Sequence, residues 1–131
     1  MKRILASIAG ASLAASAAAQ EPRTLTAEGP EGELAGTLIP PSSGQGVVLI
    51  VPGSGPTDRD GNNPLGVTAA SYRLLAEALA ERGIGSVRID KRGMFGSKAA
   101  IPDPNDVTIA DYARDIHAWI KSVRAETGAQ C

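Results

Sequence analysis

The chain has 131 residues, room for one domain. Thirteen Lys and Arg against 14 Asp and Glu give a net charge of −1, and aromatic residues make up only 3%. With no basic run and few rings to stack, the composition argues against nucleic acid as a partner, and a lone cysteine, Cys131, excludes an intrachain disulfide scaffold.

Met1-Lys2-Arg3 opens a segment that is uncharged from Ile4 to Ala18 and ends in Ala17-Ala18-Ala19-Gln20. A basic start, an apolar middle and small residues at the end are the pattern of a signal peptide. About 15 apolar residues fall short of the roughly 20 needed to span a bilayer. Residues 1–19 are therefore expected to direct export, with cleavage after Ala19, to the periplasm or beyond. No Leu-x-x-Cys suggests a lipid anchor, and no membrane association is expected after cleavage. Taking Lys2 and Arg3 from the 13 basic residues leaves 11 against 14 acidic, so residues 20–131 carry −3.

Thr24–Ala27 and Glu33–Ile39 alternate weakly around the turn residues Glu28-Gly29-Pro30-Glu31-Gly32, which predicts an antiparallel hairpin. Pro40 to Gly46 is a loop. Val47-Val48-Leu49-Ile50-Val51 is a short apolar run ended by Pro52 and Gly53, the pattern of a strand buried on both faces. A Gly-, Ser- and Asp-rich loop follows to Asn62. Thr68 is the expected cap of a helix carrying Tyr72, Leu75, Ala76 and Leu79 at helical spacing, with Gly83 just past its end. Ile84–Ile89 is a second buried strand, less regular in its pattern, and Asp90 to Lys98 is a second loop at a strand's carboxyl end. Thr108-Ile109-Ala110-Asp111 resembles a capping box. It opens a helix whose apolar stripe is Ile109, Tyr112, Ala113, Ile116, Ile120 and Val123. Arg114, Asp115, Lys121 and Arg124 fall mostly off that stripe, and the helix ends near Gly128. The order β, β, β, α, β, α implies an α/β fold with a mostly parallel sheet. Cys131 reads as the first residue of a further strand, so the sequence reads as a fragment.

Ligands of open α/β sheets bind at the strands' carboxyl ends, which directs attention to Pro52–Asn62. As a phosphate cradle the loop fails. Gly53-x-Gly55 is followed at the third position by Asp58, the helix starts some way downstream, and no Gly-Lys-Ser/Thr is present. As a calcium loop, Asp58, Asp60 and Asn62 offer oxygens at alternate positions, but Gly61 precedes the third ligand and the twelfth position is Ala69. Capping of local turns by those side chains is favoured over a metal, and no cofactor is expected. As an oxyanion loop, Gly53-Ser54-Gly55 would bring backbone N–H groups close to a developing negative oxygen.

Val51–Asn62, together with Tyr72-x-x-Leu75-Ala76-x-x-Leu79 and Asp90-Lys91-Arg92-Gly93-x-x-Gly96-Ser97, resembles the N-terminal part of an α/β-hydrolase. It is most similar to bacterial exported esterases of the serine-aminopeptidase-like branch, over about residues 22–131. The resemblance implies a hydrolase of small-molecule ester-type acyl substrates with a serine nucleophile. It places Gly53 and Ser54 at the oxyanion turn, the Ser54 amide being the donor, and makes Asp90–Ser97 a buttress. The sequence departs from the family where the chemistry starts. It has no Gly-x-Ser-x-Gly nucleophile elbow. Ser54 lies between Pro52 and Pro56, Ser97 between Phe95 and Ala99, and the one histidine, His117, falls on the last helix, where a surface or interhelix role is expected. Tyr72, Tyr112 and Trp119 read as packing residues, and Arg88, Lys91 and Arg92 as ion-paired scaffold, with Arg92, near the loop, placed to bond backbone carbonyls. Met94 and Phe95 could line either pocket or core. The chain alone is therefore expected to be inactive. The other reading is a non-enzymatic exported α/β module that binds a ligand or partner through residues 52–62.

Overall fold

The computed structural model describes residues 20–42 and 45–129. The expected signal peptide at 1–19 and Cys131 lie outside the described residues. Strands β1 (Arg23–Ala27) and β2 (Leu34–Ile39) form the hairpin. Then come β3 (Val47–Ile50), helix α1 (Ser71–Ala80), β4 (Gly85–Ile89) and helix α2 (Ile109–Thr127). Two short 3₁₀ segments, Phe95–Ala100 and Pro104–Asp106, lie between β4 and α2. The sheet runs β1-β2-β4-β3. The two pairings that β2 makes are antiparallel, and β3 lies parallel to β4 with α1 as the crossover. The architecture is α/β, a hairpin followed by β-α-β-α in one sheet.

Alternation along the strands supplies two faces. One face presents Leu34, Leu38, Val87 and Ile89 to Trp119 and Val123 of α2. The Trp119 ring lies directly on Gly36, where a side chain would collide with it. The other face sets Ile39 and Ile50 against Ala76 of α1, with Tyr72 and Ala80 at the margin.

The sequence pattern assigns the strands' burial the wrong way round. β3 was expected to be buried on both faces. It is instead the edge of the described sheet, with Val48 39% and Val51 41% exposed. Every residue of β4 is buried. Its irregular pattern arises because Ser86 and Arg88 are buried polar residues facing the α1 side, whereas Val87 and Ile89 face α2. Side-chain hydropathy does not report strand order, so the most apolar run need not be the central one.

Both helix starts have identifiable caps. α2 has the expected capping box: Thr108 Oγ1 accepts from the Asp111 N–H, and the Asp111 carboxylate accepts from the Thr108 N–H at 2.8 Å. α1 does not start at Thr68. Its cap position is Ala70, in the left-handed region at φ 49° with no capping side chain. The orphan N–H groups that every helix start carries are met by the Asp60 carbonyl, which accepts from Tyr72 and Arg73. Asn62 Oδ1 accepts from the Ala70 N–H at 3.0 Å. The cap comes from a loop ten residues upstream, out of reach of a local motif.

The apolar stripe of α2 is also rotated from its expected position. Ile109 is 88% exposed and Ala113 is exposed, while Asp111, Asp115, Trp119 and Val123 are the buried residues. Arg92 explains the rotation. Its guanidinium, itself buried, makes a bidentate bond to Asp115 (Nη2–Oδ1 2.5 Å, Nε–Oδ2 2.9 Å) and reaches Asp111 Oδ1 at 3.0 Å. The two carboxylates can face inward only because this cation is there to receive them.

Candidate functional site

The β3 chain leaves the sheet at Pro52, which is buried and lacks an N–H, so the ladder stops there. Gly53, Ser54, Gly55 and Pro56 are then exposed. Gly55 takes φ +83°, a conformation that favours glycine, and its carbonyl accepts from the Thr57 N–H at 3.0 Å. Among the described residues, no protein acceptor takes the N–H groups of Gly53, Ser54 or Gly55.

Lys91 holds this turn from beneath. Its Nζ donates to the carbonyls of Gly53 at 2.5 Å and Gly55 at 2.8 Å. The ammonium lies 5.8 Å from the centre of the Tyr112 ring, close enough for a cation–π contribution. The residue is only 6% exposed and makes no ion pair among the described residues. Burial pushes its pKa down from the ordinary lysine value. Arg92 makes the expected bond to a backbone carbonyl, donating from Nη2 to that of Asp111 at 3.3 Å, whereas the turn carbonyls are held by its neighbour Lys91.

The acidic part of the loop is consumed internally. Asp58 Oδ1 accepts from the N–H groups of Asp60 and Asn62, both at 2.9 Å, closing a turn whose Gly61 sits at φ +91°. Asp60 Oδ1 accepts from Arg88 Nη1 at 2.6 Å. Burial lowers the Arg88 pKa, while Asp60 acts in the opposite direction. Asn62 caps α1 as described. Only Asp58 does the local turn work expected of these side chains; Asp60 pairs with Arg88 of β4 and Asn62 reaches the start of α1.

Asp90 joins the two loops. Its Oδ1 accepts from the Arg59 N–H at 2.8 Å. Its Oδ2 accepts from Arg59 Nη2 (2.6 Å), Arg59 Nε (3.0 Å) and the Gly96 N–H (3.0 Å). A side chain at Gly96 would occupy the Arg59–Asp90 contact. Ser97 is fully buried; its hydroxyl donates to the Asp90 carbonyl at 2.8 Å and accepts from the Ala35 N–H at 2.9 Å. The hydroxyl is thus committed to scaffold. The segment from Asp90 to Ser97 buttresses the turn, as the motif implies.

Met94 is half-buried, and Phe95 is 42% exposed at φ 45°, a strained value for a bulky residue. His117 is exposed on α2. Trp119 packs in the core on the α2 face and Tyr72 against the separate cluster on the α1 face, both as expected, whereas Tyr112 serves as the ring beneath Lys91. An open groove of about 430 Å³ lies between the β1–β2 turn and α2, lined by Glu28, Glu33, Lys121 and Ser122 among others. None of its walls comes from residues 52–62, and it carries no convergent set of reactive groups.

No family profile matches the chain, and no curated protein matches it. Among solved structures it is similar to an α/β serine hydrolase without a lid from Xanthomonas campestris. The two share 25% identity with a TM-score of 0.54. The match covers 84% of this chain and 47% of that one. The chain thus spans about half the length of its structural neighbour and has an α/β-hydrolase-like fold.

Proposed function

We propose that the chain supplies the oxyanion turn of an exported serine hydrolase acting on small ester-type acyl substrates. One observation carries this reading: Ser54 is exposed beyond the carboxyl end of β3, and its N–H has no acceptor in the described protein. The similarity to a serine hydrolase gives that free donor a purpose. In acyl transfer a serine attacks the substrate carbonyl, whose oxygen becomes negative, and a fixed N–H receives that charge. Removing one such donor typically costs about 10²–10³ in rate. Gly53 allows the backbone close approach, and Ser54 contributes its amide rather than its hydroxyl.

The nucleophile comes from outside these 131 residues. Their serines include no Gly-x-Ser-x-Gly, and the Ser97 hydroxyl is locked in the scaffold. Export rests on the basic, apolar and small-residue pattern of residues 1–19. The branch of exported serine-aminopeptidase-like esterases is supported by the Pro-Gly-Ser-Gly-Pro-Thr-Asp-Arg-Asp-Gly run. A ligand-binding module working through the 52–62 side chains is disfavoured, because Asp58, Asp60 and Asn62 are already bonded internally.

The test is hydrolysis of p-nitrophenyl esters by the 131-residue protein, alongside the DNA sequence beyond Cys131. The expected results are no turnover above background and an in-frame Gly-x-Ser-x-Gly shortly downstream. Turnover that survives active-site serine titration controls contradicts the reading.

A further inference from the structure

We infer that Lys91 is the positioning residue of the turn, aiming and polarising the Ser54 N–H through the peptide group between Gly53 and Ser54. This rests on the reading of residues 53–55 as an oxyanion turn. The geometry follows from the planarity of the peptide. In a trans unit the C=O and the N–H point in opposite directions, and the described residues contain no cis bond. Lys91 Nζ draws the Gly53 carbonyl inward at 2.5 Å. The N–H of the same unit, that of Ser54, must then point outward. The second bond, to the Gly55 carbonyl at 2.8 Å, fixes the far side of the turn. The peptide nitrogen beyond that carbonyl belongs to Pro56, which has no hydrogen, so this anchor adds no competing donor.

The cation also acts electronically. A charge-assisted bond to a carbonyl polarises its whole peptide group and makes its N–H a stronger donor. No carboxylate neutralises Lys91 among the described residues, so the pull on the carbonyl is undiminished. A buried cation without a counterion is costly. Here its solvation shell is two turn carbonyls and the Tyr112 face, which is the arrangement needed to order a loop that has few contacts of its own.

The test uses the isotopically labelled 131-residue protein and NMR, comparing wild type with Lys91→Met and Lys91→Arg. In wild type, couplings across the hydrogen bonds from Lys91 Nζ to the Gly53 and Gly55 carbonyls are expected. Their absence overturns the inference without any variant. In Lys91→Met the order parameters of Ser54 and Gly55 are expected to fall from about 0.85 to below about 0.6. Val87 and Ile89 should be unchanged, and Lys91→Arg should restore part of the order. Methylphosphonate, a tetrahedral oxyanion, should shift the wild-type Ser54 amide, and Lys91→Met should weaken that binding about tenfold. Equal binding by wild type and Lys91→Met overturns the assignment of Lys91. A turn that is held by Lys91 yet ignores methylphosphonate overturns the oxyanion reading instead.

Discussion

Asp90→Asn should destabilise the protein by about 3 kcal/mol. The wild-type carboxylate is 2% exposed and meets four N–H donors, three from Arg59 and one from Gly96. An amide has only one acceptor oxygen. If its NH₂ group occupies the Oδ2 position it faces three donors; at Oδ1 it faces the Arg59 backbone N–H. Either way a donor opposes a donor, and the Arg59 guanidinium loses its counterion. Breaking a buried pair costs about 3–5 kcal/mol. The Arg59 side chain is 24% exposed, so water can replace part of the loss and the lower end applies. Set against a total stability of about 5–15 kcal/mol, that is a large share. With a urea slope of about 2 kcal/mol per molar, the midpoint should fall by about 1.5 M at unchanged slope. Equilibrium urea unfolding followed by Trp119 fluorescence measures it. A shift below about 0.3 M at unchanged slope would refute the view that Asp90 is the joint between the two loops.

Gly36→Ala should cost about 1–3 kcal/mol by overpacking. Its Cβ would lie 2.7 Å from Trp119 Cη2 and 2.9 Å from the Arg88 carbonyl oxygen, and an unchanged thermal midpoint would contradict that packing. The Asp111 carboxyl is held well below its ordinary pKa, first by the Thr108 hydroxyl, then by the Thr108 N–H and Arg114. Because the folded value is depressed, its stabilisation is present above about pH 4 and lost as pH falls toward that lower value. The stability gap between wild type and Asp111→Ala should therefore narrow below about pH 4, and a gap that stays constant would be inconsistent with the capping role. The open side of β3, with Val48 and Val51 exposed and Leu74 and Leu75 of α1 about half exposed, should promote self-association. Light scattering during size exclusion should show concentration-dependent mass, whereas a sharp monomer with a cooperative melt would count against an unpaired edge.

Features set by neighbours in sequence were legible. The hairpin turn, the Thr108–Asp111 capping box and the break at Pro52 each lie within a few residues and follow from local chemistry. So was the internal use of Asp58, whose carboxylate bonds its own turn. Features set by tertiary partners were not. The carbonyl that caps α1 comes from Asp60, far up the chain from Thr68, where a local reading looks. Asp115 reads as a surface charge until Arg92 is found beside it. β3 reads as central because it is the most apolar strand, yet burial depends on which strands flank it. The turn itself was legible from Gly53-Ser54-Gly55 and its motif. What holds it was not, since nothing in Asp90-Lys91-Arg92 says which of two adjacent cations bends back toward Gly53.

In the proposed function, Ser54 offers its backbone N–H to an oxyanion. Titration of the wild-type protein with methylphosphonate, followed at the Ser54 amide by ¹H–¹⁵N correlation, tests it most directly. A saturable downfield shift of the Ser54 proton is expected, with the amides of Asp60 and Asn62 unmoved because they already donate to Asp58. An unresponsive Ser54, or a shift spread evenly over the loop, would contradict it.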